Sequence, residues 1–231
     1  MMNKSVYLAA SVLTLFSTGA FSATPFNQDE VYLGFDLGYT KNNSEMTTSN
    51  TIGSFEQKLK DTGDAIDDQL YNDLKIGYTI NNNLRAYTFW RVSSEDSAHS
   101  RIMDSSNTQI GTVDIKRQEN IFGLGLDYLQ PLSDRLYWVI GGSLGRYNSE
   151  VTIDSQRIFR GTDSTKLTSK GLALGVNTSI GYAINQNWSI ESGVNYMHLN
   201  GNVTKFENNG SNFEYKNDKQ FSVFAGVNYS F

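Results

Sequence analysis

The residues able to carry chemistry are few, and their kinds already narrow the field. The chain has no cysteine, so thiolate nucleophiles, disulfides and thiolate metal sites are all out of reach. It has two histidines, His99 and His198, far apart in sequence, too small a supply for a histidine metal site or proton relay. No loop shows the ligand spacing of a calcium, zinc or phosphate motif, and no cofactor is implied. His198 stands two positions before Asn200 in YMHLNGN, where an amide cannot replace a hydroxyl nucleophile beside a general base. What remains is a set of charges at alternating positions. The acids are Asp36, Asp73, Glu119, Asp127 and Glu191, and the bases are Lys75, Arg85 and Arg91. A net charge of -5 with no long basic run argues against a nucleic-acid partner.

These charges lie in segments of period-two alternation. In Val31 to Thr40, Val31, Leu33, Phe35, Leu37 and Tyr39 share one face, and Tyr32, Gly34, Asp36, Gly38 and Thr40 share the other. The same pattern recurs in Leu70 to Ile80, Leu84 to Val92, Glu119 to Tyr128, Leu136 to Leu144, Leu172 to Ile184, Trp188 to Tyr196 and Phe221 to Phe231. The result is about eight strands near the ~9–11 residues that cross a bilayer when tilted. Two prolines in 231 residues suit unbroken ladders. Bulky aliphatic and aromatic residues hold one face; Gly, Ala, Ser, Asn and the charges hold the other. A narrow barrel leaves room only for side chains, so the small and polar face is expected inside and the apolar face against lipid.

The connections alternate strictly in length. Asn81 to Asn83, Leu129 to Asp134 and Asn185 to Asn187 are short; Lys41 to Gln69, Ser94 to Gln118, Tyr147 to Thr168 and Asn200 to Asp218 are long. Short periplasmic turns and long extracellular loops are the habit of an outer-membrane barrel, and an even strand count puts both termini in the periplasm. A soluble lipocalin-type barrel is the competing architecture. Tyr78, Trp90, Trp138, Tyr182, Trp188 and Tyr196 are placed as interfacial aromatics.

Two turns share nearly one sequence, GYTINNNLRA from Gly77 and GYAINQNWSI from Gly181. Three-residue loops would set Ile80 opposite Leu84 and Ile184 opposite Trp188, with Asn83 and Asn187 able to take the left-handed conformation. The first register then sets Asp73 opposite Arg91 and Thr79 opposite Arg85. Facing charges in a narrow interior point to an ion-paired plug; a selective pore is the alternative. The third long connection keeps alternation at Val151, Ile153 and Ile158, as a protruding hairpin able to bind by strand addition would. His99 sits in a polar loop without an assigned role.

At the N-terminus, Lys4, the apolar run Val6 to Phe16 and the Ala20-Phe21-Ser22 site read as an export signal over 1–22, with the barrel domain over 23–231. The apolar run is about half the ~20 residues a spanning helix needs.

VYLGFDLGY, IGYTINNNLRA, IGYAINQNWSIESGVNY and the terminal FSVFAGVNYSF resemble the small outer-membrane β-barrel family that includes OmpX, the transmembrane domain of OmpA and opacity-type surface proteins. The resemblance implies an all-β fold, an eight-stranded antiparallel transmembrane barrel in the outer membrane of a Gram-negative bacterium. In that family the C-terminal strand is read by the barrel-assembly machinery, which would make Gly226, Tyr229 and Phe231 the assembly signal. Phe224 departs from the family, which has a polar residue there. The implied partners are outer-membrane lipid and lipopolysaccharide, with assembly machinery and periplasmic chaperones during biogenesis. An extracellular or host ligand is left unnamed, and the chain is expected to be a monomer. The implied role is non-enzymatic: envelope integrity, adhesion or host-factor resistance. A narrow channel is the alternative. A lipid A-modifying enzyme is third, since His198 and Asn200 resemble the His-x-Ser element of a lipid A deacylase with the nucleophile replaced.

Overall fold

In the computed structural model the described residues are 29–49, 68–103, 109–157, 161–201, 203–208 and 211–231. The export segment expected over 1–22 lies outside them. Among the described residues ten strands follow in order: β1 (Glu30–Ser49), β2 (Asp68–Asn81), β3 (Leu84–Ser93), β4 (Asp96–Met103), β5 (Gln109–Pro131), β6 (Leu136–Arg157), β7 (Gly161–Ala183), β8 (Trp188–Asn200), β9 (Val203–Asn208) and β10 (Ser211–Ser230). All pairings are antiparallel. Eight strands form a ring in the order β1-β2-β3-β5-β6-β7-β8-β10, which closes because β1 also pairs with β10. The expected eight-stranded barrel is therefore present, and β4 and β9 are additions within connections read as loops.

The alternation dictates the two faces. Leu33, Phe35, Leu74, Ile76, Leu124, Leu126, Leu174 and Val176 are all more than two-fifths exposed on the outer wall. Asp36, Asp73, Arg85, Glu119, Asp127 and Glu191 are buried inside. A water-soluble fold would invert this order, whereas lipid solvates the apolar wall.

Three of the long connections are largely strand. β5 begins at Gln109, while β6 runs to Arg157 and meets β7 at Gly161. β1 reaches Ser49 against β10. The protruding third hairpin expected from Val151 and Ile153 is present; Ile158 lies outside the described residues. Beyond the apolar belt the faces exchange roles. Phe122 and Leu124 face outward, yet Ile115, Ile121 and Val151 are buried within, with Lys116 and Gln118 exposed outside. The extracellular part thus has its own apolar interior, as a sheet in water must. It divides into a β4-β5-β6-β7 sheet and a β9-β10-β1 sheet. His99 is in β4, not in a loop, and its Nδ1 lies 2.6 Å from Asp114 on the paired strand.

Two turn assignments are corrected. Asn81, not Ile80, is opposite Leu84, with an irregularity between Thr79 and Asn81 that leaves Asn82 and Asn83 as the turn. The extra residue is a bulge, so the expected pairs Thr79–Arg85 and Asp73–Arg91 survive. Asn83 and Asn187 do not adopt positive φ; among the described non-glycine residues only Asp29 does. Instead Asn81 Oδ1 accepts from Asn83 N, and Asn185 Oδ1 accepts from Asn187 N, both at 2.9 Å. These side-chain turns replace the left-handed residue. The Ile184–Trp188 pairing holds, with Ile184 N donating to Trp188 O at 2.8 Å. The second short connection is shifted: β5 runs on to Pro131, and Leu132 N closes the turn on Leu136 O.

Candidate functional site

The barrel interior gathers all eight charges expected there, in stacked layers, and adds a ninth. Nearest the periplasm, Arg85 of β3 bridges two carboxylates. Its Nε and Nη2 donate to Asp127 Oδ2 at 3.0 and 2.8 Å, and its Nη1 and Nη2 donate to Glu191 at 2.6 and 2.9 Å. Tyr137 Oη and Asn228 Nδ2 also donate to Glu191 Oε1, at 3.0 and 3.1 Å, while Asn177 Nδ2 donates to Asp127 at 3.2 Å. Above this layer, Lys75 Nζ is 2.5 Å from Asp36, a pair reached diagonally, since Lys75 itself lies opposite Gly34. Next, Arg91 Nε and Nη2 form a bidentate pair with Asp73 at 2.8 and 2.7 Å. Highest is Arg117, whose Nη2 donates to Glu119 at 3.0 Å; Gln220 Nε2 donates to the same carboxylate at 2.6 Å.

Arg117 is the charge that the alternation pattern missed. In the sequence it falls within the second long connection, outside the alternating apolar segments. Two residues before Glu119 on one strand, it has the parity of the interior and is fully buried. The signal was the continued alternation Ile115, Arg117, Glu119, Ile121.

The interior is also more aromatic than a face of small residues suggests. Tyr32, Tyr71, Tyr87, Phe89, Tyr137, Tyr147 and Phe224 are buried there. Each is opposite a glycine on the neighbouring strand, as Tyr32 is to Gly77 and Tyr137 to Gly181. A Cβ at Gly77 would sit within the Tyr32 ring, and one at Gly181 within the Tyr137 ring. The small residues are therefore the floor on which rings lie. The rings in turn face cations: Arg91 is 3.9 Å from the Tyr71 centroid and Arg85 5.2 Å from that of Tyr32. Lys75 lies 5.4 Å from the Phe224 centroid, which gives that residue a packing role. Among Asp36, Tyr71, Arg91, Asn195 and Phe224 the remaining void is about 20 Å³, on the order of one water molecule.

On the outer wall, Tyr78, Trp90, Trp138, Trp188 and Tyr196 are exposed and Tyr182 is half-buried, all on the lipid side. Trp138 Nε1 donates to Thr178 Oγ1 at 2.7 Å. His198 is half-buried on the same wall, with Leu174 and Lys219 as its cross-strand neighbours, and Asn200 lies opposite Leu172. Arg146, Lys170 and Lys219 are exposed at the outer rim above the apolar residues. At the opposite rim, Gly226 lies between Glu191 and Asp36, Tyr229 packs on Trp188 with ring centroids 4.8 Å apart, and Phe231 N donates to Val31 O at 3.0 Å.

The family description for the outer membrane protein beta-barrel domain matches residues 8–231. The chain belongs to that family. It is an outer-membrane β-barrel protein, in keeping with its outward apolar wall and closed ring. Curated protein sequences gave no match. Among solved structures, Neisserial surface protein A is similar at 17% identity with a TM-score of 0.51, covering 87% of this chain and 97% of that one. OprG from Pseudomonas aeruginosa is similar at 12% identity with a TM-score of 0.52, covering 90% and 98%. At such identities the likeness extends to the fold.

Proposed function

We propose that this barrel is a non-enzymatic surface protein with a closed interior, acting through the two sheets it raises beyond the outer leaflet. Its role would lie in envelope integrity, adhesion or host-factor resistance. The carrying observation is the filled lumen: Lys75, Arg91 and Arg117 are each paired with a carboxylate and Arg85 with two, and the void among Asp36, Tyr71, Arg91, Asn195 and Phe224 is about 20 Å³. A pore for solutes needs continuous space and weak, leavable sites. Planar-bilayer recording tests this directly. Silence is expected, and large steady conductance would establish the channel instead.

An enzymatic role has less support, because His198 faces lipid between Leu174 and Lys219, and the residue at the nucleophile position is Asn200. Expression should leave the mass of lipid A unchanged. Arg146, Lys170 and Lys219 suit the anionic head groups of outer-leaflet lipopolysaccharide. The strand end at Gly226, Tyr229 and Phe231 suits recognition by the assembly machinery, so deleting Phe231 should impair insertion. We read the protein as a monomer without a cofactor.

A further inference from the structure

The paired turns make one more contact than a turn needs. In both, the backbone N–H of the last Asn is diverted into its own turn, where it donates to the first Asn side chain. That N–H is then lost to the ladder. The side-chain amide takes its place. Asn83 Nδ2 donates to Leu129 O at 2.8 Å while Leu129 N donates to Asn83 O at 2.7 Å. Asn187 Nδ2 donates to Ser230 O at 2.8 Å while Ser230 N donates to Asn187 O at 2.8 Å. Each Asn thus makes the two reciprocal bonds of an antiparallel residue pair, one through the main chain and one through the side chain. Aspartate matches the shape but presents oxygen to a carbonyl, and alanine offers nothing.

The two clasps are alike in chemistry and differ in place. Asn83 joins β3 to β5 in mid-chain. Asn187 holds Ser230, the last residue of β10, where three segments meet. Ser230 also lies opposite Tyr32 of β1, and Phe231 N donates to Val31 O. The β1–β10 pairing closes the ring and joins the two ends of the chain. Its register must be right, because Gly226 lies between Asp36 and Glu191 and a Cβ there would meet the Asp36 carboxylate. A two-residue slip would bring Phe224 or Asn228 between those carboxylates.

We propose that Asn187 is a positioning residue for barrel closure: its side-chain amide fixes the end of β10 on β8 in the register in which β1 can dock. Asn83 is its built-in control. The test is refolding of the full mature chain from urea into lipid vesicles, followed by the heat-modifiable shift on cold gels. Asn187→Ala should slow closure about three- to fivefold, as one lost hydrogen bond implies, and Asn187→Asp should slow it further. Asn83→Ala should alter the rate by less than about twofold: the two clasps span nearly equal separations in sequence, 46 and 43, but Leu129 lies on β5, which takes no part in the β1–β10 closure.

The absence of cysteine gives a clean register probe. Ile190→Cys with Val227→Cys joins native partners, and Ile190→Cys with Ala225→Cys reports a two-residue slip. Early in folding, Asn187→Ala should raise crosslinking of the slipped pair at the expense of the native one. Equal slowing by Asn83→Ala and Asn187→Ala would overturn the proposal. So would unchanged closure in both, or native crosslinking at the wild-type rate in Asn187→Ala.

Discussion

Removing the Arg85 guanidinium is the sharpest perturbation of the interior. Arg85 makes four hydrogen bonds to two carboxylates, and its side chain is nearly fully buried. Arg85→Met keeps much of the volume and the contact with the Tyr32 ring but leaves Asp127 and Glu191 facing each other without a cation. Glu191 would retain donors from Tyr137 and Asn228, and Asp127 those from Asn177 and Tyr87. Those neutral donors soften the loss without cancelling two negative charges. Breaking a buried pair by removing one partner costs about 3–5 kcal/mol. Arg85 serves two partners, so the upper part of that range is expected. Equilibrium urea unfolding of the refolded barrel in detergent, followed by tryptophan fluorescence, measures it. The triple variant Arg85→Met, Asp127→Asn, Glu191→Gln should regain most of the stability, because it removes the uncompensated charge along with the cation. A single variant losing less than about 1 kcal/mol would place Arg85 among weak, screened pairs and refute the reading of the interior as a coupled plug. A triple variant as unstable as the single one would show that packing, not charge, had been lost.

The remaining expectations concern the two walls and the rings. Gly181→Ala should destabilise by about 1–3 kcal/mol through overpacking against Tyr137, and pairing it with Tyr137→Ala should yield less than the summed loss in a double-mutant cycle of unfolding energies. Leu126→Arg, midway along the outward apolar run of β5, should cost about 2–4 kcal/mol in vesicle refolding. Val151→Asp places a charge in the apolar interior of the extracellular sheet. It should make β6 and β7 sensitive to limited proteolysis outside the membrane while the heat-modifiable barrel remains.

How far these features could be read in advance depended on whether one rule applied along a whole strand. The ring and its inward charges were legible because alternation fixes faces, and the Asp73–Arg91 pair because the bulge before the first turn offsets the residue by which that turn is shorter than expected. The strand lengths were not. Apolar-outward alternation is the visible signal only inside lipid. At the rim the apolar parity changes side, so Phe122 outward and Ile121 inward read as broken periodicity rather than as a continuing strand. Arg117 and Ile115 were lost for this reason. The interior rings were hidden differently. Tyr32, Tyr71 and Tyr137 share parity with glycines, and only the cross-strand register shows that each ring has a glycine beneath it.

That register also accounts for both ends of the repeated stretch. Gly77 and Gly181 begin the two copies because each has to admit a tyrosine from the preceding strand, Tyr32 in one case and Tyr137 in the other. Asn83 and Asn187 stand near the end of each because an amide side chain must replace a diverted main-chain donor. Between them, Tyr78 and Tyr182 lie on the lipid side, with the Tyr78 hydroxyl donating to Asp29 at 2.7 Å and the Tyr182 hydroxyl accepting from Arg135 at 3.4 Å. Each copy therefore combines a packing floor, an interfacial anchor and a ladder clasp, at intervals set by the two-residue repeat of a strand and by the length of its turn. Shared geometry at the periplasmic rim is a sufficient physical cause for the shared sequence, since changing any one of the three positions alone breaks a different contact.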